Sequence, residues 1–205
     1  MKKVFGFLAI AVALVFAASS TTSAQQTFGN AGLEVALPVG DWSEDLYPLG
    51  VGGSGGIELG ISDNFAITAN AGIIFMALDD GVSDLIASSF LVPVQVGGRF
   101  YLDQQRSGLF VEAKAGMHLQ SVTTEDFEFL GETVEGESES EVFFSIAPQV
   151  GFFLNENISL ALRYQIALVG DEDVETVNPI TGETSTESVE RDNIGYIGLK
   201  VAYNF

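Results

Sequence analysis

The sequence predicts an all-β protein: an eight-stranded antiparallel transmembrane β-barrel with short periplasmic turns and long acidic extracellular loops. Three observations carry this. Residues 25–205 break into eight segments in which apolar and other residues alternate, each about as long as a tilted strand needs to cross hydrocarbon, roughly 9–11 residues. The gaps between segments alternate between tight and long. The chain also ends on an aromatic, in "GLKVAYNF", where a terminus held by nothing would be polar and frayed.

In chain order, the first element is a processing segment. Lys2 and Lys3 form a positive n-region, "VFGFLAIAVALVFA" is an apolar run too short to span comfortably, and "TTSA" supplies small residues before Gln25. Residues 1–24 are therefore expected to be a cleaved secretory signal peptide and residues 25–205 a single barrel domain. No later apolar stretch approaches the length of a membrane helix. There is no cysteine, so neither a disulfide framework nor a lipid-modified N-terminal Cys is available, which fits a Gram-negative envelope.

The eight strands fall at about 28–38, 51–61, 64–77, 89–102, 108–121, 141–154, 157–169 and 191–205. Tight gaps are "SDN" (62–64), "DQQRSG" (103–108) and "NEN" (155–157); the long ones are 39–50, 78–88, 122–140 and 170–190. An even strand number puts both termini on the short-turn side. Two features cut against the pattern. Pro93 and Pro148 remove ladder donors and are expected to sit at bulges or near the rim. The "GVGGSGG" stretch (50–56) has little strand propensity; lacking a following Lys-Ser/Thr and a helix, it reads as room for bulky neighbours and not as a phosphate loop.

Alternation alone does not say which face meets lipid, because a soluble barrel alternates with its apolar face inward. The charges decide. In the fourth, fifth, seventh and eighth strands, the last read from Tyr196 on, one face is uncharged, as in Leu109, Val111, Ala113, Ala115, Met117 and Leu119. Setting aside Glu141, Arg191 and Asp192 at the loop-flanking starts of their strands, the other face carries the seven remaining strand charges: Glu34, Glu58, Arg99, Glu112, Lys114, Arg163 and Lys200. Seven charges over eight strands are too few for a water-exposed surface. They suit a closed interior where four cations and three anions share hydrogen bonds, and at eight strands side chains fill that interior. The apolar face therefore looks at lipid. Its aromatics support this: Phe65, Phe100, Phe152, Tyr203 and Phe205 form a girdle at the short-turn end, and Phe75, Phe90 and Phe144 a sparser one above.

Acidity is segregated from this pattern. After removal of the signal, six basic residues face 28 acidic ones, a formal charge of −22, so binding nucleic acid by phosphate neutralisation is excluded. The long loops and their flanks hold 22 of the 28 acids, Glu141 and Asp192 included, with Arg191 the only base. "DED" (171–173) offers hard oxygen ligands to divalent cations but lacks the spacing and glycine of a calcium loop, so no specific metal site is expected. Trp42 and Tyr47 in the first long loop are candidates for contacts to a partner or to headgroups. His118, the only histidine, lies on the inward face with Ser121 three residues on. A Ser–His nucleophile needs a third orienting group and access to its substrate, and an inward His118 points away from outer-leaflet lipid; no catalysis and no cofactor are expected.

The alternating C-terminal strand with Tyr203 and a final Phe205 resembles the terminal assembly signal of bacterial outer-membrane barrels. With the signal segment and the strand pattern, the whole chain is similar to the small eight-stranded outer-membrane β-barrel family, the OmpX, OmpA-barrel and OmpW-like group. The resemblance implies an integral protein of the cell outer membrane, exported through the inner membrane, monomeric, whose partners are outer-membrane lipids and the barrel-assembly machinery. It implies a structural or surface-interaction role, with a narrow porin-like channel for small or apolar solutes as the alternative.

Overall fold

The computed structural model describes residues 26–40, 47–78, 86–103, 107–124, 127–129, 132–134, 138–170, 172–177, 184–189 and 191–205, with the backbone alone at 86–87 and in the short loop strands. The expected signal peptide (1–24), Trp42 and the side chains of "DED" lie outside these residues. The described residues hold twelve strands: β1 (Thr27–Val39), β2 (Gly50–Ser62), β3 (Phe65–Met76), β4 (Ile86–Tyr101), β5 (Gly108–Thr124), β6 (Phe127–Phe129), β7 (Glu132–Val134), β8 (Ser138–Phe153), β9 (Ile158–Leu168), β10 (Glu172–Val177), β11 (Thr184–Val189) and β12 (Ile194–Asn204). Eight of them close an antiparallel barrel in the order β1-β12-β9-β8-β5-β4-β3-β2. The other four form two-stranded hairpins, β6 with β7 and β10 with β11, inside the third and fourth long connections. The sequence pattern predicts only loop there.

Closure is made by the first and last strands, paired from Asn30↔Asn204 to Val39↔Gly195. Phe205 completes the seam: its N–H donates to the Gly29 carbonyl at 2.9 Å, and the Gly29 N–H donates to the Phe205 carbonyl at 2.8 Å. No barrel strand is left with an open edge, as hydrocarbon requires when it offers no hydrogen-bond partner.

The face assignment holds along every barrel strand. Leu33, Val96, Phe144, Leu162, Leu199 and Val201 point outward, while Glu34, Glu58, Arg99, Glu112, Lys114 and Arg163 are buried. An outward Leu33 at 76% exposure would be anomalous in water and is ordinary against acyl chains. The aromatic rows also fall where expected, with Phe65, Phe100, Phe152, Tyr203 and Phe205 outward at the short-turn end, and Phe75 outward against Phe90 above.

The prolines are accommodated differently from the expectation. Neither sits at a bulge. The β3–β4 ladder passes from Ala71↔Val94 to Ile74↔Leu91, and the β8–β9 ladder from Ile146↔Ile166 to Gln149↔Arg163. In each case two residue pairs are lost beside the proline, and pairing resumes in the same register. A missing N–H breaks the ladder locally, and the intact seam on the proline's other side (Pro93↔His118, Pro148↔Ala113) holds the strand in line.

The glycine-rich start of β2 is a regular strand, and its lack of side chains serves close packing. A Cβ on Gly50 would lie 2.8 Å from both Ile74 and Met76, inside the upper apolar cluster. The same device appears at Gly198, where a Cβ would come within 2.5 Å of a Glu34 carboxylate oxygen.

Candidate functional site

The barrel interior is layered. At the short-turn end Tyr101, Phe110 and Phe153 pack with Ala66 and Ala161, their ring centroids 5.6–6.2 Å apart. Such tilted aromatic contacts add to the apolar burial itself. At the loop end Ala36, Tyr47, Ile74, Met76, Leu91 and Tyr196 form a second apolar cluster. Beside it lies a third, of Ala167, Val169 and Ile194 with Phe143. Between the two ends lies a polar belt that contains all seven interior charges. Below the lower cluster a vestibule of about 990 Å³ opens among the short turns, bordered by Ser62, Asp63, Asn155 and Asn157, with Tyr101 and Phe153 also in its wall.

The belt has two ion-paired centres. In the first, Arg99 bridges two carboxylates, with Nη1 2.8 Å from Glu58 Oε2 and Nη2 2.8 Å from Glu112 Oε2. Every remaining oxygen is engaged. Tyr101 donates its hydroxyl to Glu58 Oε1 at 2.5 Å, Thr68 donates to Glu112 Oε1 at 2.6 Å, and Gln149 donates Nε2 to Glu112 Oε2 at 3.0 Å. The guanidinium lies 4.3 Å from the centre of the Phe110 ring, which joins the belt to the lower cluster. This is how a buried ion pair survives desolvation: good geometry and no carboxylate oxygen without a donor.

The second centre is smaller. Arg163 Nη2 pairs with Glu34 Oε1 and also donates to the Tyr196 hydroxyl at 2.9 Å; Ser54 donates to Glu34 Oε2 at 3.3 Å. The two lysines end on neutral oxygens, Lys114 on Gln149 Oε1 at 2.7 Å and Lys200 on Asn30 Oδ1 at 2.9 Å. Of the seven interior charges, five therefore form ion pairs, and Lys114 and Lys200 join the network through amides.

His118 is fully buried beside Tyr196, the ring centroids 6.0 Å apart, and neither ring nitrogen has a hydrogen-bond partner among the described residues. Ser121 accepts instead from Ser140, at 2.9 Å, so the Ser–His pair is not assembled. Sequence reasoning missed the neutral members of the belt: Tyr101, Tyr196, Thr68 and Gln149. All lie on inward-facing positions, which is the signal that finds them once the register is known. It also missed the clamp at the extracellular rim, where Arg191 donates Nη1 and Nη2 to the two Glu141 oxygens at 3.0 and 2.7 Å.

These features define the class: a small, closed, transmembrane β-barrel whose interior holds apolar clusters around an ion-paired belt. The particular family follows from comparison. The chain belongs to the outer membrane protein beta-barrel domain family, whose family model matches residues 9–205. It is accordingly an outer-membrane protein. No curated protein matches the chain. Among solved structures, Ail, the attachment invasion locus protein of Yersinia pestis, superposes with a TM-score of 0.56 at 12% identity, over 90% of this chain and 100% of that one. Ail in complex with the heparin analogue sucrose octasulfate gives 0.55 at 12% identity, over 88% and 98%. The N-terminal β-barrel domain of Pseudomonas aeruginosa OprF gives 0.50 at 12% identity, over 87% and 97%. At such identities the likeness is one of fold.

Proposed function

We propose that this protein is a non-conducting, non-catalytic barrel that anchors and presents its long acidic loops at the cell surface, in a structural or surface-interaction role. The observation that carries the reading is the layered interior. Two apolar clusters bracket an ion-paired belt, and a permeating solute would have to displace Tyr101, Phe110 and Phe153 at one end and Tyr196, Ile74 and Leu91 at the other. Selective conduction instead needs sites weak enough to leave.

The loops carry the chemistry that distinguishes this chain. Ail has been crystallised with a heparin analogue; with 22 acids and one base in and beside its long loops, the present protein carries the wrong sign for a polysulfate. A basic partner surface, or lipid phosphates bridged through divalent cations, fits it better. Export by the residue 1–24 signal, insertion by the barrel-assembly machinery and a monomeric state complete the reading.

Planar-bilayer recording with the folded protein tests it. A flat baseline is the expected result. Discrete current steps that change when Arg99 or Arg163 is neutralised would replace this reading with that of a narrow channel. Lipid A altered on overexpression and restored by His118→Ala would replace it with that of an enzyme.

A further inference from the structure

The interior holds four cations and three carboxylates, and the carboxylates are already committed. Glu58 and Glu112 flank Arg99, and Glu34 takes Arg163. Lys114 and Lys200 have no carboxylate within ion-pair distance among the described residues; the acceptors they reach are the neutral amide oxygens of Gln149 and Asn30. One positive charge is thus left over in a closed, low-dielectric space, where an uncompensated charge is far more costly than in water.

The packing leaves room beside these lysines. Two small cavities of about 10 Å³ each lie in the belt. One is bordered by Asn30, Gln149 and Ser159 and the other by Ser54, Gln95 and Arg163, while Asn70, Lys114 and Lys200 line both. Each admits about one sphere of water size. The groups around them are rich in donors: two ammoniums with three N–H each, the Asn70 amide and the Arg163 guanidinium. Asn70 Nδ2 and Arg163 Nε are both buried without a partner among the described residues. Donors and positive charge converge, and against them the one unpartnered buried acceptor on these linings among the described residues is Gln95 Oε1, at the second cavity.

We propose that the barrel encloses one small monovalent anion, of the halide class, between Lys114 and Lys200, with the Asn70 amide and Arg163 as further donors. Chloride supplies both the missing charge and an acceptor for several donors, whereas a water molecule supplies only the acceptor. The cavity size excludes sulfate, phosphate and organic carboxylates. Because the apolar clusters cover both ends of the belt, the ion enters during folding and is held until the barrel opens.

The test is to unfold the protein in urea, refold it into a maltoside detergent with sodium chloride, bromide or gluconate at equal ionic strength, and follow thermal unfolding by circular dichroism. Chloride and bromide are expected to raise the midpoint over gluconate by roughly 2–4 °C or more, as a ligand of the folded state does. Lys200→Met balances the interior at three charges of each sign and is expected to abolish that difference, with Lys114→Met as a second variant should the first fail to fold. General salt effects on burial act on wild type and variants alike. Crystals grown in bromide are expected to show an anomalous peak between the two lysines. Equal midpoints in all three salts, a salt difference that persists in both variants, or bromide crystals without that peak would overturn the proposal.

Discussion

Replacing Arg99 by methionine is the most informative single perturbation of the belt. Arg99 is 5% exposed, and its guanidinium separates the carboxylates of Glu58 and Glu112, residues that are themselves 1% and 4% exposed. Met keeps much of the side-chain volume over Phe110 but removes both 2.8 Å ion pairs, leaving Glu58 and Glu112 with no cation between them. Removing one partner of a buried pair costs about 3–5 kcal/mol. With a urea m-value of about 2 kcal/mol/M, that lowers the unfolding midpoint by roughly 2 M. The assay is urea titration of the folded barrel in detergent micelles, read by the mobility difference between folded and unfolded forms on an unheated SDS gel. The triple variant R99M/E58Q/E112Q removes the like charges as well, and it is expected to recover most of the loss, because neutral isosteres of a buried ionic cluster are often as stable as the original. A drop below about 1 kcal/mol for R99M, the value of an exposed pair, would refute the claim that the belt is buried and tightly coupled. A triple variant no better than R99M would refute the electrostatic account and leave lost packing as the cause.

Three further outcomes are expected. Phe205→Ala keeps the two backbone hydrogen bonds with Gly29, so the purified barrel should still fold in detergent while its level in the outer membrane falls; removing residue 205 altogether loses both bonds and should also lower stability by about 1–3 kcal/mol. An unchanged outer-membrane level for Phe205→Ala would contradict its role as an assembly signal. Gly151→Ala places a Cβ onto the Phe110 ring, which Tyr101 and Phe153 prevent from yielding, and should cost about 1–3 kcal/mol in the same urea titration. At the extracellular rim, above the first lipid-facing residue Val142, hydrogen bonds from Arg191 hold the Glu141 carboxyl below its ordinary range. A depressed carboxyl contributes stability above its unfolded value of about 4.5 and loses it as pH falls through the folded value. Carbon-13 titration of Glu141 should therefore move up to the ordinary range in Arg191→Gln, and no movement would show the clamp to be idle.

The strands and their faces were legible in the sequence because the bilayer punishes error on one side only. An apolar residue is tolerated inside, as Phe110 and Phe153 are, but a charge is not tolerated outside. Arg99, Lys114, Arg163 and Lys200, four positions in four strands, were thus enough to orient the sheet. The pairing within the belt was not legible. Arg163 meets Glu34 across 129 residues, and that contact depends on the stagger at which eight strands close, which no local pattern encodes. The prolines misled for a related reason: a bulge is the local remedy for a missing donor, whereas an intact neighbouring strand is a non-local one. The loop hairpins β6–β7 and β10–β11 are not legible because "EDVETV" and "TSTESV" hold too few apolar residues to show a strict alternation.

Where the function resides follows from how the interior is used. Eight strands enclose a space that side chains fill, and in this protein the filling divides into apolar ends and a paired centre, with Tyr101 and Tyr196 belonging to both an apolar cluster and the belt. A change inside the barrel therefore breaks packing or charge balance. The acids at the surface are under no such constraint. In sequence most of them fall in the long connections, outside the barrel strands that carry Glu34, Glu58 and Glu112, and mutual repulsion among water-exposed charges is screened over about 8 Å at physiological ionic strength. The loops can thus hold a strongly negative surface without unsettling the belt. The one base beside them, Arg191, is engaged by Glu141, which fits the proposed recognition of cations and cationic surfaces.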